Sequence, residues 1–203
     1  MKKSLLLLVC VSMSYVLMAQ ETVKQREVGV VFSNLDHFGF TFKIGNEKSL
    51  WRFNSLVLSG GDSDNTSVNF DSEQKSTGFG VKVGREYRKR ADGKLEFRYG
   101  ADLSFSYSYS KSVETNKIGI GYGSSHVEKV YSPGVNLVFG FNYMISENLI
   151  LGAEVLPYFT FKTGTSINQD IYPIIGKEVK RDISGFSYGF SSSSVLLSLT
   201  YRF

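Results

Sequence analysis

The chain is 203 residues long, enough for one domain, with 42% hydrophobic and 21% charged residues and a net charge of +4. No basic helix or clustered basic stripe is present, which excludes a nucleic-acid-binding surface, and a single cysteine excludes a disulfide framework. Aromatic residues reach 14%, with 16 Phe and 12 Tyr beside 20 Gly and 3 Pro. That composition favours strands and tight turns over helices.

Residues 1–19 read as a cleaved secretory signal peptide. Lys2 and Lys3 form a positive n-region, residues 5–18 an apolar run broken only by Ser12 and Ser14, and Ala19 a small residue before Gln20. The run is shorter than the roughly 20 apolar residues of a transmembrane helix. Cys10 lies inside it, follows Val9 and is followed by more apolar sequence, so it is not a lipoprotein cysteine. Residues 20–203 are the expected mature domain, without thiols.

From there the dominant pattern is period two, which places alternate residues on opposite faces of a strand. Residues 27–33 are apolar with weak alternation. In 38–44, Phe38, Phe40, Phe42 and Ile44 oppose Gly39, Thr41 and Lys43. Residues 50–59 form a strand by composition, but Leu50, Leu56 and Leu58 fall opposite Trp51, Phe53 and Val57, so its facing stays open. In 78–88, Phe79, Val81, Val83 and Tyr87 oppose Lys82, Glu86 and Arg88. The clearest case is 95–109, where Leu95, Phe97, Tyr99, Ala101, Leu103, Phe105, Tyr107 and Tyr109 oppose Glu96, Arg98, Asp102 and Ser104, Ser106 and Ser108. In 130–145, Tyr131, Val135, Leu137, Phe139, Phe141 and Tyr143 oppose Ser132, Gly134, Asn136, Gly140 and Asn142. In 149–163, Leu151, Ala153, Val155, Pro157, Phe159 and Phe161 oppose Glu154, Thr160 and Lys162. In 195–203, Val195, Leu197, Leu199, Tyr201 and Phe203 oppose Ser198, Thr200 and Arg202.

These segments predict eight strands. Short connections over 45–49, 89–94 and 146–148 alternate with long polar loops over 60–76, 110–129 and 164–185; only the short 34–37 connection breaks the rule. Short turns at one end and long loops at the other are the habit of outer-membrane barrels. The faces agree. A narrow lumen has room for Gly, Ser and a few long charged side chains, not for Phe and Tyr from every strand, so the apolar face must look outward to lipid. Trp51, Tyr87, Tyr109, Tyr131, Tyr143 and Tyr201, near strand ends, suit interfacial girdles. The predicted fold is therefore all-β, an eight-stranded antiparallel up-and-down transmembrane barrel.

The most specific segment is the last, with terminal Phe203, Tyr201 third from the end, and Leu199, Leu197 and Val195 on alternate positions. On these residues and the eight-strand pattern over 20–203, the chain resembles the small eight-stranded outer-membrane β-barrel family, the OmpA/OmpX type. The resemblance implies location in the outer membrane of a Gram-negative bacterium and contact with outer-membrane lipids and lipopolysaccharide. It also implies that Val195, Leu197, Leu199, Tyr201 and Phe203 are read by the barrel-assembly machinery during biogenesis.

Several constellations bear on chemistry. Lys43, Lys82, Glu86, Glu96, Arg98, Asp102, Glu154 and Arg202 fall on polar faces, joined by Arg52 if its strand faces the same way. Opposite charges in a narrow lumen pair, because an unpaired buried charge is costly, so the expectation is a structural ion-pair network that plugs the barrel; the functional alternative is a narrow channel. Ser124, Ser125, His126 and Glu128 contain the residue types of a Ser-His-acid hydrolase, but neighbours in one polar loop rarely form a triad; a barrel enzyme acting on lipid A or phospholipid through His126 is the other alternative. Asp62, Asp64, Asn65 and Asp71 lack the spacing of a calcium loop. The run Arg88-Lys89-Arg90 is placed in a turn. No catalytic residue, metal or cofactor is assigned. The expected role is that of a non-enzymatic outer-membrane barrel whose three long extracellular loops serve adhesion, recognition or envelope stability.

Overall fold

Residues 24–34, 37–117, 122–171, 178–190 and 194–203 are described by the structure, a computed structural model; the expected signal peptide and its cleavage site lie outside them. The strand segments are β1 (Gln25–Asn34), β2 (His37–Gly45), β3 (Ser49–Thr66), β4 (Phe70–Asp92), β5 (Leu95–Asn116), β6 (Gly123–Met144), β7 (Leu149–Val155), β8 (Tyr158–Ile171), β9 (Glu178–Gly189) and β10 (Val195–Arg202). Each pairs antiparallel with its neighbours. Strands β1 to β7 follow one another around a ring that β10 closes, pairing β7 on one side and β1 on the other, from Glu27↔Arg202 to Phe32↔Leu197.

The ring has eight strands, yet two of them are interrupted. β7 pairs the lower part of β6, from Phe139↔Val155 downward, while β8 pairs its upper part, from Asn136↔Tyr158 upward. The single strand expected over 149–163 is thus split at Leu156-Pro157. Proline has no N–H to give to a ladder, and the chain steps out of strand pairing there, between Val155 and Tyr158. Local bonds hold the step: Leu137 N donates to Pro157 O (2.9 Å) and Leu156 N to Ser194 O (2.6 Å). The wall strand that returns is split in the same way into β9 and β10, and β9 ends at Gly189, whose φ of 137° suits only glycine.

The three long loops are corrected as well. β3 and β4 pair up to Thr66↔Asp71, β5 and β6 up to Thr115↔Gly123, and β8 and β9 up to Gln169↔Glu178. Most of residues 60–76, 110–129 and 164–185 is therefore strand, and β9 occupies a stretch expected to be mostly loop. The reason is physical. A ladder rising into water on both faces is held by its backbone pairs and needs no apolar side, so the alternation that reveals a half-buried strand vanishes.

A register shift between Leu56 and Ser59 on β3 settles the strand whose facing was open. Below it Trp51 and Phe53 face outward while Leu50, Arg52 and Asn54 are buried inside. At the short end the turns close on their own side chains: Asn46 Oδ1 accepts from the amides of Lys48 and Ser49 (3.0 and 2.9 Å), and Ser146 Oγ from that of Leu149 (3.0 Å). The turn between β4 and β5 lies at Gly93-Lys94, so Arg88-Lys89-Arg90 is strand and not turn.

Outward positions form a continuous apolar belt. On β10, Val195, Leu197, Leu199 and Tyr201 are 39–53% exposed, while Leu196, Ser198 and Thr200 between them are buried. Aromatic pairs border the belt at both ends: Tyr87–Tyr99 (5.6 Å) toward the short turns, and Tyr107–Tyr131 (5.2 Å) and Phe159–Tyr188 (6.0 Å) toward the long hairpins.

Candidate functional site

The lower lumen holds a connected set of ion pairs built from five cations and five carboxylates. Arg52 from β3 is its centre. Its Nη1 and Nη2 donate to Glu154 Oε2 and Oε1 of β7 (2.9 and 2.7 Å), Nη1 also donates to Glu86 of β4 (3.1 Å), and Nε lies 3.2 Å from Asp102 of β5. Glu86 is the carboxylate hub, meeting Lys43, Arg52, Arg88 and Arg98. Arg98 reaches Glu154 at 3.1 Å. Toward the short turns, Arg88 forms a two-pronged pair with Glu27 (2.7 Å each), and Arg202 joins Glu27 and Glu96 (2.9 and 3.3 Å).

Burial makes these contacts decisive. Glu27 and Glu86 are fully enclosed, and Arg52, Asp102, Arg98 and Lys43 are at most 2% exposed. Taking one such ion out of water costs several kcal/mol, and only near-ideal pairing recovers it; bidentate guanidinium–carboxylate bonds are the strongest available. Small residues on inward positions make room. A Cβ at Gly152 would meet Ser198 Oγ and, at 2.9 Å, Arg98 Nη2.

Of the eight expected lumen residues, the structure brings together Lys43, Glu86, Glu96, Arg98, Asp102, Glu154 and Arg202. Lys82 is the exception: it faces inward but makes no ion pair with a described residue, and lies higher, among serines. Glu27, Arg52 and Arg88 complete the network. Glu27 sits where alternation is weak, Arg52 on the strand of open facing, and Arg88 was split between a polar face and a supposed turn. Parity would have found Arg88, since it is two residues beyond Glu86.

The other candidates fall elsewhere. His126 is on β6, in the ladder above the membrane rather than in a loop. Its Nδ1 meets Asn168 Oδ1 at 2.6 Å and its Nε2 lies 3.6 Å from Glu128, so its hydrogen-bond partner is an amide and not a serine. Asp62 pairs with Lys75 and Asp71 with Lys117 (3.5 and 2.7 Å). Among the described residues no group of three or more His, Cys, Asp or Glu is placed to hold a metal ion.

A closed ring of strands with an aromatic-bordered, largely apolar belt outside and paired charges inside is the arrangement that a membrane-spanning barrel requires, because the closed ladder pairs its backbone groups. The chain is a small antiparallel β-barrel with the outer surface of a membrane-spanning one, and both described chain ends lie on the short-turn side. Its fold is similar to that of a major outer membrane protein from Thermus thermophilus (11% identity, TM-score 0.41, covering 89% of this chain and 100% of that one). It is also similar to Ail, the attachment invasion locus protein of Yersinia pestis (14%, TM-score 0.32, 91% and 100%), and to Acinetobacter baumannii CarO (13%, TM-score 0.40, 90% and 97%). No protein-family model matches the chain, and no curated protein matches it significantly.

Proposed function

We propose that the protein is a surface-display barrel: a closed membrane anchor that carries a rigid sheet for recognition outside the cell. The observation that carries this reading is the network of five cations and five carboxylates that crosses the lumen, with Arg52 of β3 bridging to β4, β5 and β7. An eight-stranded barrel is just wide enough for its own side chains to fill, so such a cross-brace leaves little room for an aqueous path. Above it, Val68, Phe70 and Tyr122 stand exposed at the tips of otherwise polar hairpins, and exposed apolar groups rimmed by polar ones mark contact surfaces. Outer-membrane lipids and lipopolysaccharide surround the belt in this reading. Val195, Leu197, Leu199, Tyr201 and Phe203 present the edge read by the barrel-assembly machinery.

Two measurements test it. Purified protein in planar bilayers is expected to give no conductance steps above background, and an epitope inserted between Val68 and Asn69 to be accessible on intact cells. Regular conductance steps, or an epitope reachable only after the outer membrane is opened, would falsify the proposal.

A further inference from the structure

Above the ion-pair network the lumen opens into a second chamber that the network does not use. Its volume is about 490 Å³, within the roughly 300–1,000 Å³ of small-molecule sites. The floor is apolar: Leu156 and Leu196 line it and pack with Val138, all at most 1% exposed. On the inward face of this wall the residue below Leu156 is Glu154, so the leucine layer separates the chamber from the charges beneath.

Three features of the chamber wall point the same way. Among the described residues that line it, the charged ones are Lys82 and Lys162, with no carboxylate beside them. Asp102 and Glu154 act on Lys82 only through space, from the network below. That network is already balanced in charge, and Lys82 makes no hydrogen bond or ion pair with a described residue. Most of the remaining polar wall is hydroxyl, with Ser104 and Ser106 of β5, Ser132 of β6 and Thr160 of β8 able to donate or accept. Finally, Asn136 is 6% exposed, lines the chamber, and its Oδ1 has no hydrogen-bond partner. A buried acceptor left unmade costs about 1–3 kcal/mol, so something that carries a donor belongs beside it.

We infer that this chamber is a binding site for a small hydroxylated anion, of the sugar-phosphate or sugar-acid class. The anionic oxygens are held by Lys82 at the inner end with Lys162 at the mouth. Hydroxyls of the ligand donate to Asn136 Oδ1 and exchange hydrogen bonds with the serines. Two lysines with no acid among the described lining residues set a positive potential at the entrance. The apolar floor makes the chamber blind, so the ligand is held and not passed inward. This goes beyond display of the outer sheet, and its readout is binding, so it stands or falls separately from conductance.

The experiment uses the folded barrel in a detergent free of phosphate and sugar, at low ionic strength, titrated by calorimetry with glucose 6-phosphate, glucuronate, inorganic phosphate and glucose. Saturable one-to-one binding of glucose 6-phosphate or glucuronate is expected, with glucose and inorganic phosphate each at least about tenfold weaker; the two charged sugars tell phosphate from carboxylate. Lys82→Met is expected to weaken binding by about tenfold or more, the worth of one charge-assisted hydrogen bond, and Lys82→Arg to retain most of it. The exposed Lys162→Met provides a second variant that folds irrespective of the lumen, with a severalfold loss expected. No saturable binding by either charged sugar overturns the inference. So does equal affinity for glucose or for inorganic phosphate, or indifference to both lysine substitutions.

Discussion

Below Leu156 the inward side chains are mostly buried, and the charged ones among them are paired; above it they are mostly hydroxyls around open space, beneath a sheet of paired hairpins. The same wall strands run through both regions. What differs is closure. In the lower half β10 joins β7 to β1 and completes the ring. In the upper half β9 pairs β8 alone, and β3 beyond Ser59 pairs β4 alone, so six strands form an open curved sheet above the short hairpin of β1 and β2. Stability of the lower half is therefore concentrated in buried contacts that cannot be replaced by water. In the upper half it is spread over backbone pairs, and side chains there are free to serve a ligand or partner.

This contrast can be broken first at Arg52. Arg52→Met removes one partner each from Glu86 and Glu154, which keep Arg98, and the one ion-pair partner that Asp102 has among the described residues, leaving an enclosed carboxylate uncompensated. A loss of about 3–5 kcal/mol is expected in reversible urea unfolding in lipid; a loss below about 1 kcal/mol would show that water enters the lower lumen freely. Next comes the leucine floor. Leu156→Ala leaves a void between network and chamber and is expected to cost about 2–5 kcal/mol, nearer the lower figure if the chamber's water fills it.

The smallest effect is expected at the hairpin tips, where Asp71 accepts a hydrogen bond from Lys117 that holds its carboxyl below the ordinary 3.8. Since the folded value is the lower one, the contact is fully present above the unfolded value and is lost as pH falls through the lowered one. Amide protection near Phe70 and Asn116, taken relative to the intrinsic exchange rate at each pH, is expected to fall on acidification and in Asp71→Asn at neutral pH, while the global unfolding midpoint at neutral pH stays unchanged. A shift of that midpoint in Asp71→Asn would mean that the tips and the membrane half unfold as one unit.

Much of the membrane half was legible because lipid imposes a rule on every strand. Leu95 to Tyr109 alternates without a fault because each outward residue meets lipid and each inward one the lumen. The candidate site was legible in part: polar-face parity placed seven of the network residues together, but Lys82 shares their parity and not their company. Glu27 and Arg52 escaped because the alternation around them is weak or shifted by a bulge. The upper strands escaped for the opposite reason, that nothing around them demands an apolar face.

By itself, then, the sequence determined strand type, facing and the sign of the surface wherever alternation runs unbroken, because period-two burial is local and written residue by residue. Only the tertiary structure decided which charges meet, since Arg52 and Glu154 lie 102 residues apart in the chain and become partners through the closing of the ring. It also decided that Pro157 divides a wall strand, and that Lys82 stands apart from the ion pairs, over a leucine floor. Those outcomes depend on the height at which each inward side chain enters the lumen, which is set by the register of all eight strands together and not by any one of them.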